Sequence, residues 1–252
     1  MHVPYDEVRE YINPAYLWRD TYGIAALTYY QTARILVDGT EQMVRVEKQY
    51  DVYDMEQSKI LYGDEAMDVG YHMRTSNTYL VNHEKWKYLI MTVDMASEDY
   101  QTYFYPLTAE GIGNVFAING GLDAANVRAD SFDLLLRIDV FGTYRTYPEY
   151  IIVEDGTIGA YRVEYPINHT IYDYCDLLTI RELPVRKDAE RILLPAGSKM
   201  RILSTDNQSW AKFLVLDTME EVVVEFVRAE NYTLSVDGIS EFEYFEELPY
   251  AG

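Results

Sequence analysis

Carboxylates are the residues with the most chemical potential in this 252-residue chain, which carries 42 Asp and Glu against 21 Lys and Arg. Asp94, Glu98 and Asp99 lie together with Ser97 in the segment DMASED. Oxygen-rich loops of this kind can bind calcium. Because the segment lacks the D-x-D-x-D-G spacing of a calcium loop, we interpret it as a solvated hairpin tip.

Catalytic signatures are absent from the sequence. A glycan hydrolase needs two carboxylates at a set distance across a cleft, but among 42 acidic residues some pair meets that distance by chance. There is no G-x-S-x-G motif or nucleotide-binding glycine loop, and the four histidines lack zinc-motif spacing. The single cysteine, Cys175, has no adjacent Lys or Arg and is interpreted as a small buried hydrophobe. We therefore predict no catalytic residue, no metal and no cofactor.

Aromatic residues are the other candidates, with 25 Tyr, 8 Phe and 3 Trp. On an exposed sheet face, Tyr and Trp rings give rigid contact area for sugars and peptides at small entropic cost. The predicted ligand-binding residues are Trp86, Tyr88, Tyr103, Tyr105 and Trp210. The first four could instead be core residues. Trp210 lies in the segment TDNQSW. In SH3-like barrels an aromatic residue on such a loop often lines the edge of a peptide-binding groove.

The formal net charge of −21 limits the partners. A polyanion repels phosphate backbones and anionic membrane surfaces, so we predict no nucleic-acid binding. The charge can serve solubility alone, and the sharper interpretations are cation binding or a basic partner. No stretch is apolar for long enough to span a membrane, and the N-terminal segment lacks the regions of a signal peptide. An extracellular location would require that a leader has been removed.

Strands must position the aromatic candidates. Aromatic residues recur at nearly every second position of residues 79–107, and residues two apart share one face of a strand. The pattern predicts strands at residues 85–94 and 100–107, joined by a loop at residues 95–99. We expect this hairpin to be the packing centre of the first domain.

The rest of the first region also alternates. Residues 32–37 are a predicted strand closed by the turn dipeptide Asp38-Gly39, and MVRVEKQYDVYDM predicts a half-buried strand. Residues 56–58 are predicted as a turn and residues 64–76 as linker-like. The segments FDLLLRIDVFGTY and YPEYIIVEDGTIGAYRVEYPI predict another strand and a second hairpin.

From about residue 177 the pattern changes to five or so short strands with tight turns. The breakers are Pro195-Ala-Gly197, Asp206-Asn207 and Asp237-Gly238. The order of strand, LPAGSK turn, strand, TDNQSW loop and strand is typical of SH3-like barrels. We therefore predict a mainly β chain with two domains. Residues 1–176 hold antiparallel, blade-like sheets resembling part of a propeller, and residues 177–252 hold a small SH3-like barrel.

Several segments together resemble a known family: TARILVDG, YDVYDM followed by ILYG, TVDMASEDYQTYFYPL, FDLLLRIDVFGTYRTY, and LPAGSKMRILSTDNQSWAKFLVLD with the final YAG. The family consists of uncharacterised secreted or lipid-anchored proteins of gut Firmicutes, which pair a blade-like β region with a C-terminal SH3-like segment. It has no established activity, so the resemblance transfers no catalytic residue. What it implies is a location outside the cell, attached to membrane or wall.

These observations predict a non-enzymatic extracellular binding module whose partner is a peptide, peptidoglycan or other glycan. One alternative is a structural or protein-interaction scaffold on the cell surface, whose sheet faces serve a partner or a second copy. The other is a glycan hydrolase that uses paired carboxylates. The sequence leaves the ligand and the oligomeric state open.

Overall fold

The computed structural model describes residues 17–18, 23–27, 32–50, 55–72, 74–83, 85–94, 100–122, 131–153, 156–160, 164–167, 176–230 and 232–250. The chain divides into two compact units. Unit 1 comprises Met1–Leu134 and Tyr150–Gly159, and unit 2 comprises Leu135–Glu149 and Ala160–Gly252. The sequence-based boundary between two folding domains, at residues 176 and 177, stays a prediction.

The described residues are mainly strand, as the sequence predicted. In the first part of the chain the strands are β1 (Leu17–Trp18), β2 (Gly23–Leu27), β3 (Thr32–Val37), β4 (Thr40–Tyr50), β5 (Glu56–Tyr62), β6 (Glu65–His72), β7 (Arg74–Asn82), β8 (Lys87–Asp94), β9 (Tyr100–Thr108), β10 (Gly111–Ile112), β11 (Phe116–Asn119), β12 (Gly121–Leu122) and β13 (Ser131–Asp139). They continue as β14 (Thr143–Thr146), β15 (Glu149–Ile152), β16 (Ile158–Ala160), β17 (Tyr165–Pro166), β18 (Leu177–Leu178), β19 (Leu183–Lys187), β20 (Glu190–Leu194), β21 (Lys199–Thr205), β22 (Trp210–Val215), β23 (Glu220–Glu225), β24 (Val227–Arg228), β25 (Leu234–Val236) and β26 (Ile239–Ser240), followed by a 3₁₀ helix at Glu241–Glu243. Among the described residues, no helix has the length and apolar character needed to cross a bilayer.

Unit 1 buries a central sheet on both of its faces. The central sheet has the order β10-β9-β8-β7-β2, with β11 also on β9. A first sheet, β1-β3-β4-β5-β6, packs its apolar residues against one face of the central sheet. A third sheet, β12-β13-β15-β16, packs its unit 1 residues against the other face. Strand β8 is accordingly buried at six consecutive residues. This double burial explains why its sequence, YLIMTV, is almost continuously apolar.

The strand register separates the two cores of unit 1. Leu89 pairs with Tyr105 and faces the first sheet, whereas Ile90 pairs with Phe104 and faces the third. Core A, between the first and central sheets, contains Ala33, Ile35, Val37, Val44, Val46, Ile60, Tyr62, Leu80, Leu89, Met91, Val93, Tyr105 and Leu107. Core B, on the opposite face, contains Tyr79, Val81, Tyr88, Ile90, Phe104, Leu122, Phe132, Leu134, Tyr150 and Ile152.

The predicted strands of the aromatic hairpin are confirmed within two residues at each end, as β8 and β9. The loop at residues 95–99, with its predicted DMASED tip, lies outside the described residues. The strand at residues 32–37 is confirmed as β3. Its turn is confirmed as well, since Asp38 and Gly39 both have positive φ, +48° and +78°, as a two-residue hairpin loop requires.

The predicted turn at residues 56–58 is wrong, because these residues begin strand β5. Glu56 and Ser58 alternate onto the buried face of that strand. The Ser58 hydroxyl donates to Glu56 Oε1 at 2.8 Å, and Lys48 Nζ lies 3.5 Å from the same oxygen. Burial lowers the pKa of Lys48, against the opposing effect of the Glu56 carboxylate. Polar residues at these buried positions hid the strand in the sequence.

The linker-like segment predicted at residues 64–76 is also wrong. It contains β6 and the beginning of β7, and β6 pairs with β5 from Tyr62 opposite Glu65 to Glu56 opposite His72. The register shifts between Ser58 and Lys59, and again in β7 between Thr75 and Thr78. Such irregularities break the two-residue alternation on which strand prediction depends.

Unit 2 is organised around a seven-stranded sheet with the order β17-β21-β22-β23-β19-β20, in which β18 also pairs with β21, and a three-stranded sheet, β24-β25-β26. Its core contains Ile138, Val140, Phe141, Tyr144, Ile167, Leu177, Leu183, Val185, Met200, Ile202, Ala211, Phe213, Val215, Val222, Val224, Phe226, Leu234, Val236, Tyr244 and Phe245. The turns predicted at Gly197, Asn207 and Asp237-Gly238 are confirmed by their positive φ. The SH3-like barrel itself stays a prediction.

Phe141 lies at the centre of the unit 2 core. It occupies the turn between β13 and β14 with φ +54°, a conformation that costs a bulky residue strain energy. Its buried ring meets those of Phe213, Phe226 and Phe245 at centroid distances of 5.6, 5.6 and 5.5 Å. Packing against three aromatic rings holds this turn in its strained form.

We therefore expect Phe141→Ala to lower the free energy of unfolding by about 3–5 kcal/mol, since it leaves a large cavity among the rings. Urea denaturation measures the loss. Phe242→Ala serves as the control, because Phe242 is an exposed aromatic of the same unit, and it should cost about 1 kcal/mol or less. Equal losses for the two variants would contradict the central role of Phe141.

Glu241 is a buried acidic residue of unit 2, with 1% of its surface exposed. Its carboxylate accepts hydrogen bonds from the Tyr250 hydroxyl at 2.6 Å and from Leu234 N–H at 3.0 Å. Burial raises the pKa of Glu241 above its ordinary value of 4.5, although these hydrogen bonds and the Arg228 charge act in the opposite direction. The folded state therefore binds this proton more tightly than the unfolded chain.

This raised pKa gives the stability of the protein a pH dependence of definite sign. As the pH rises from about 4.5 through the folded-state pKa, wild type should lose stability relative to Glu241→Gln, in which this titration is absent. Urea unfolding of both proteins between pH 4 and pH 8 measures the difference. A difference between wild type and Glu241→Gln that does not change with pH would refute the assignment.

Candidate functional site

Two of the predicted ligand-binding residues are buried on opposite faces of the central sheet. Tyr88 lies in core B and donates its hydroxyl to Gly156 O at 2.7 Å. Tyr105 lies in core A, where burial raises the pKa of its hydroxyl. Tyr103 is half-buried on the face of Tyr105, and the two rings stack with centroids 6.4 Å apart. The structure therefore does not bring Tyr88 onto one surface with Tyr103 and Tyr105.

Trp86 precedes β8 and is half-buried against core B. Its indole stacks on the His83 ring at 3.9 Å, with an angle of 12° between the planes. A ring covered in this way on one face offers less contact area than a free one. A ligand-binding role for Trp86, Tyr88, Tyr103 and Tyr105 stays a prediction.

Trp210 is placed differently, because it lines an open groove of about 570 Å³ in unit 2. We call this the Trp210 groove. Its charged lining residues are Glu164, Arg186, Asp188, Lys212 and Glu225, and Ser209, Val223 and Phe226 complete it. Of the five predicted binding residues, Trp210 alone belongs to this lining.

The alternation of strand β22 explains why Trp210 faces outward. Ala211, Phe213 and Val215 are buried in the unit 2 core, so Trp210 and Lys212 must lie on the opposite face. Strand β23 alternates in the same way, with Val222 and Val224 buried and its other positions facing out. One face of the sheet thus covers the core, and the other forms the floor of the groove.

Three adjacent strands, β22, β23 and β19, contribute lining residues to this floor, and β21 pairs in register with β22 beside them. Across them, Ser204 pairs with Lys212, Lys212 with Val223, and Val223 with Arg186. Trp210 pairs directly with Glu225 in the neighbouring row. Directly opposite residues of antiparallel strands have Cβ atoms about 5 Å apart, so Trp210 and Glu225 project from neighbouring positions of this face.

The loop before Trp210 is held by one carboxylate. Asp206 Oδ1 accepts the N–H groups of Gln208, Ser209 and Trp210 at 2.9, 2.8 and 3.0 Å, and Asp206 Oδ2 accepts the Ser209 hydroxyl at 2.7 Å. Asn207 adopts φ +58°, a left-handed conformation that asparagine tolerates. Burial raises the pKa of Asp206, but these hydrogen bonds outweigh it and the net pKa is lowered.

Two ion pairs hold the charged side chains of the groove. Arg186 Nη1 donates to Glu225 Oε1 at 2.8 Å, and Lys212 Nζ donates to Glu164 Oε1 at 3.2 Å. The Ser204 hydroxyl also donates to Glu164 Oε1 at 2.5 Å. With Asp188 the lining carries three carboxylates and two cations, so its formal charge is −1.

This arrangement has the chemistry of a binding site. A flat indole and two other apolar residues lie among five charged residues, so the groove offers apolar contact area together with hydrogen-bond donors and acceptors. The lining contains no histidine or cysteine, and the described residues contain no group of three or more His, Cys, Asp or Glu that could hold a metal ion.

Sequence reasoning found Trp210 but missed its neighbours Glu164, Arg186, Lys212 and Glu225. The alternation in WAKFLV could have placed Lys212 beside Trp210. The other three come from β23, from β19 and from the residue before β17, which lie far apart in the chain. Local periodicity in the sequence does not predict which strands become neighbours in a sheet.

The chain matches no protein-family model, and searches of curated proteins and of solved structures found no significant match.

The Asp206 loop yields a direct prediction about how Trp210 is positioned. Asp206→Ala should lower the free energy of unfolding by about 1–2 kcal/mol, since three backbone N–H groups lose their acceptor. Asp206→Asn should recover part of this loss, because its carbonyl oxygen can still accept. The control is Asp217→Ala, in the exposed turn after β22, which should cost about 0.5 kcal/mol or less. Urea denaturation distinguishes the three variants, and equal values for Asp206→Ala and the control would contradict the prediction.

Proposed function

We propose that this protein is a non-enzymatic binding module of the cell surface that takes a peptide, peptidoglycan or other glycan segment in the Trp210 groove. The observation that carries the proposal is the position of Trp210, which lines a groove of about 570 Å³ on the outward face of the unit 2 sheet. The proposal gives this indole, and not the aromatic hairpin of unit 1, the main contact with ligand.

The groove is suited to binding because its polar groups are already held. Lys212 and Arg186 each have a carboxylate partner within 3.2 Å, and the Trp210 backbone is fixed by Asp206. A ligand therefore meets an indole whose backbone is already in position. The indole supplies apolar contact area, and the flanking charges supply donors and acceptors for hydroxyl, amide or charged groups.

The location outside the cell is part of the same proposal. It is supported by the resemblance to secreted and lipid-anchored Firmicutes proteins, and one of the segments that carry this resemblance, LPAGSKMRILSTDNQSWAKFLVLD, contains the Asp206 loop and Trp210. A wall-attached protein would have peptidoglycan and its peptides within reach. The net charge of −21 disfavours nucleic acids and other polyanions as partners.

The test is a binding screen with soluble muropeptides, chitin oligosaccharides and short peptides, read first as thermal shift. A ligand of the native state must raise the melting temperature by mass action. For each fragment that does so, Trp210→Ala should weaken binding about tenfold or more in calorimetric titration, since a central indole contributes on the order of 1–2 kcal/mol.

Tyr232→Ala is the matched control, because Tyr232 is an exposed aromatic of unit 2 that is not part of the groove lining. It should leave the affinity unchanged. The proposal fails if no fragment raises the melting temperature, or if Trp210→Ala and Tyr232→Ala affect binding equally.

A further inference from the structure

We propose that the Trp210 groove recognises the cationic side chain of a peptide, an ammonium or guanidinium group, between the Trp210 indole and the Glu225 carboxylate. This inference rests on the proposed function and names the ligand class for the same site. It selects the peptide among the ligands considered above, and specifically a peptide that bears Lys or Arg.

The first support is the pairing of an indole with a carboxylate. Trp210 and Glu225 are direct cross-strand partners on the outward face of the sheet. The face of a tryptophan ring attracts cations more strongly than that of any other side chain, and a carboxylate beside it neutralises the same charge. Asp188 and Glu164 add two further carboxylates to the lining.

The second support is that Glu225 already binds a cation of the protein itself, on the side of β23 opposite Trp210. Arg186 reaches from β19 to donate its guanidinium to Glu225 Oε1 at 2.8 Å. This side chain shows that Glu225 can hold a planar cation over the groove. The side chains of both partners are exposed, 47% for Arg186 and 61% for Glu225, so exchanging Arg186 for an incoming cation costs little.

The third support is the charge of the surroundings. The lining sums to −1, and the whole chain carries −21, so the field of the protein concentrates cations and repels anions near the groove. An anionic ligand would have to bind against this field and would have to displace a carboxylate from Arg186 or Lys212. A cationic side chain needs only to replace one cation by another.

The experiment titrates the ¹⁵N-labelled protein with the end-capped peptide Gly-Gly-Lys-Gly-Gly and follows the Trp210 indole N–H, assigned with Trp210→Phe. Two matched peptides carry Nε-acetyl-lysine or glutamate in place of lysine. Because the reporter lies in the groove, peptide bound elsewhere on this acidic protein does not register. The lysine peptide should bind at least fivefold more tightly than either matched peptide at low salt.

Two substitutions should act in opposite directions. Glu225→Gln should weaken binding of the lysine peptide about fivefold, as loss of one partly exposed ion pair does. Arg186→Gln should strengthen it severalfold, because the internal competitor is gone. Lys187→Gln is the control and should leave the affinity unchanged, since Lys187 forms a partly exposed pair with Glu220 outside the groove lining.

The outcomes separate this inference from the proposed function. If Arg186→Gln weakens binding, or if the acetylated peptide or a neutral glycan fragment binds as tightly as the lysine peptide, cation recognition is refuted while the groove remains a binding site. If neither the peptides nor the muropeptide and chitin fragments shift the Trp210 indole, both fail.

Discussion

The burial of one sheet on both of its faces is the constraint on which unit 1 depends. Strand β8 contributes Leu89, Met91 and Val93 to core A and Tyr88 and Ile90 to core B. The first sheet has its apolar residues in core A, and the third sheet has its own in core B. The aromatic rings of the β8–β9 hairpin are thus used largely for packing, with Phe104 meeting Phe116 and Phe132 at about 5 Å.

Unit 2 uses its main sheet in the opposite way. Strands β22 and β23 bury one set of alternate residues in the core and turn the other set outward. The outward set supplies Trp210, Lys212 and Glu225, and the ion-pair partners Glu164 and Arg186 reach them from outside these two strands. The Asp206 loop sets the position of the indole. The same rule of alternation that builds the core therefore also builds the groove, which is why we assign recognition to this unit.

The mainly β fold could be predicted from the sequence because alternation and turn dipeptides are local. Strand β3 and the Asp38-Gly39 turn show this directly. Prediction failed at β5 and β6, where Glu56 and Ser58 occupy buried positions and a register shift interrupts the period. A buried Glu with a Lys and a Ser as partners has the same sequence signature as a solvated turn.

The candidate site was predictable only in part, for a related reason. Trp210 could be found because it follows the polar segment TDNQS in a region of short strands. Arg186 and Glu225 meet because β19 lies beside β23, a pairing between segments nearly forty residues apart. The burial of Tyr88 and Tyr105 agrees with the expectation that the β8–β9 hairpin is a packing centre, although alternation alone does not distinguish a buried aromatic face from an exposed one.

The most direct measurement of the central claim is a map of amide chemical-shift changes over the whole ¹⁵N-labelled chain during addition of a soluble muropeptide that carries a free lysine amine. The account predicts that the largest changes cluster at Trp210, Lys212, Val223, Glu225 and Arg186. Changes centred on the β8–β9 hairpin, or none at saturating ligand, would contradict it.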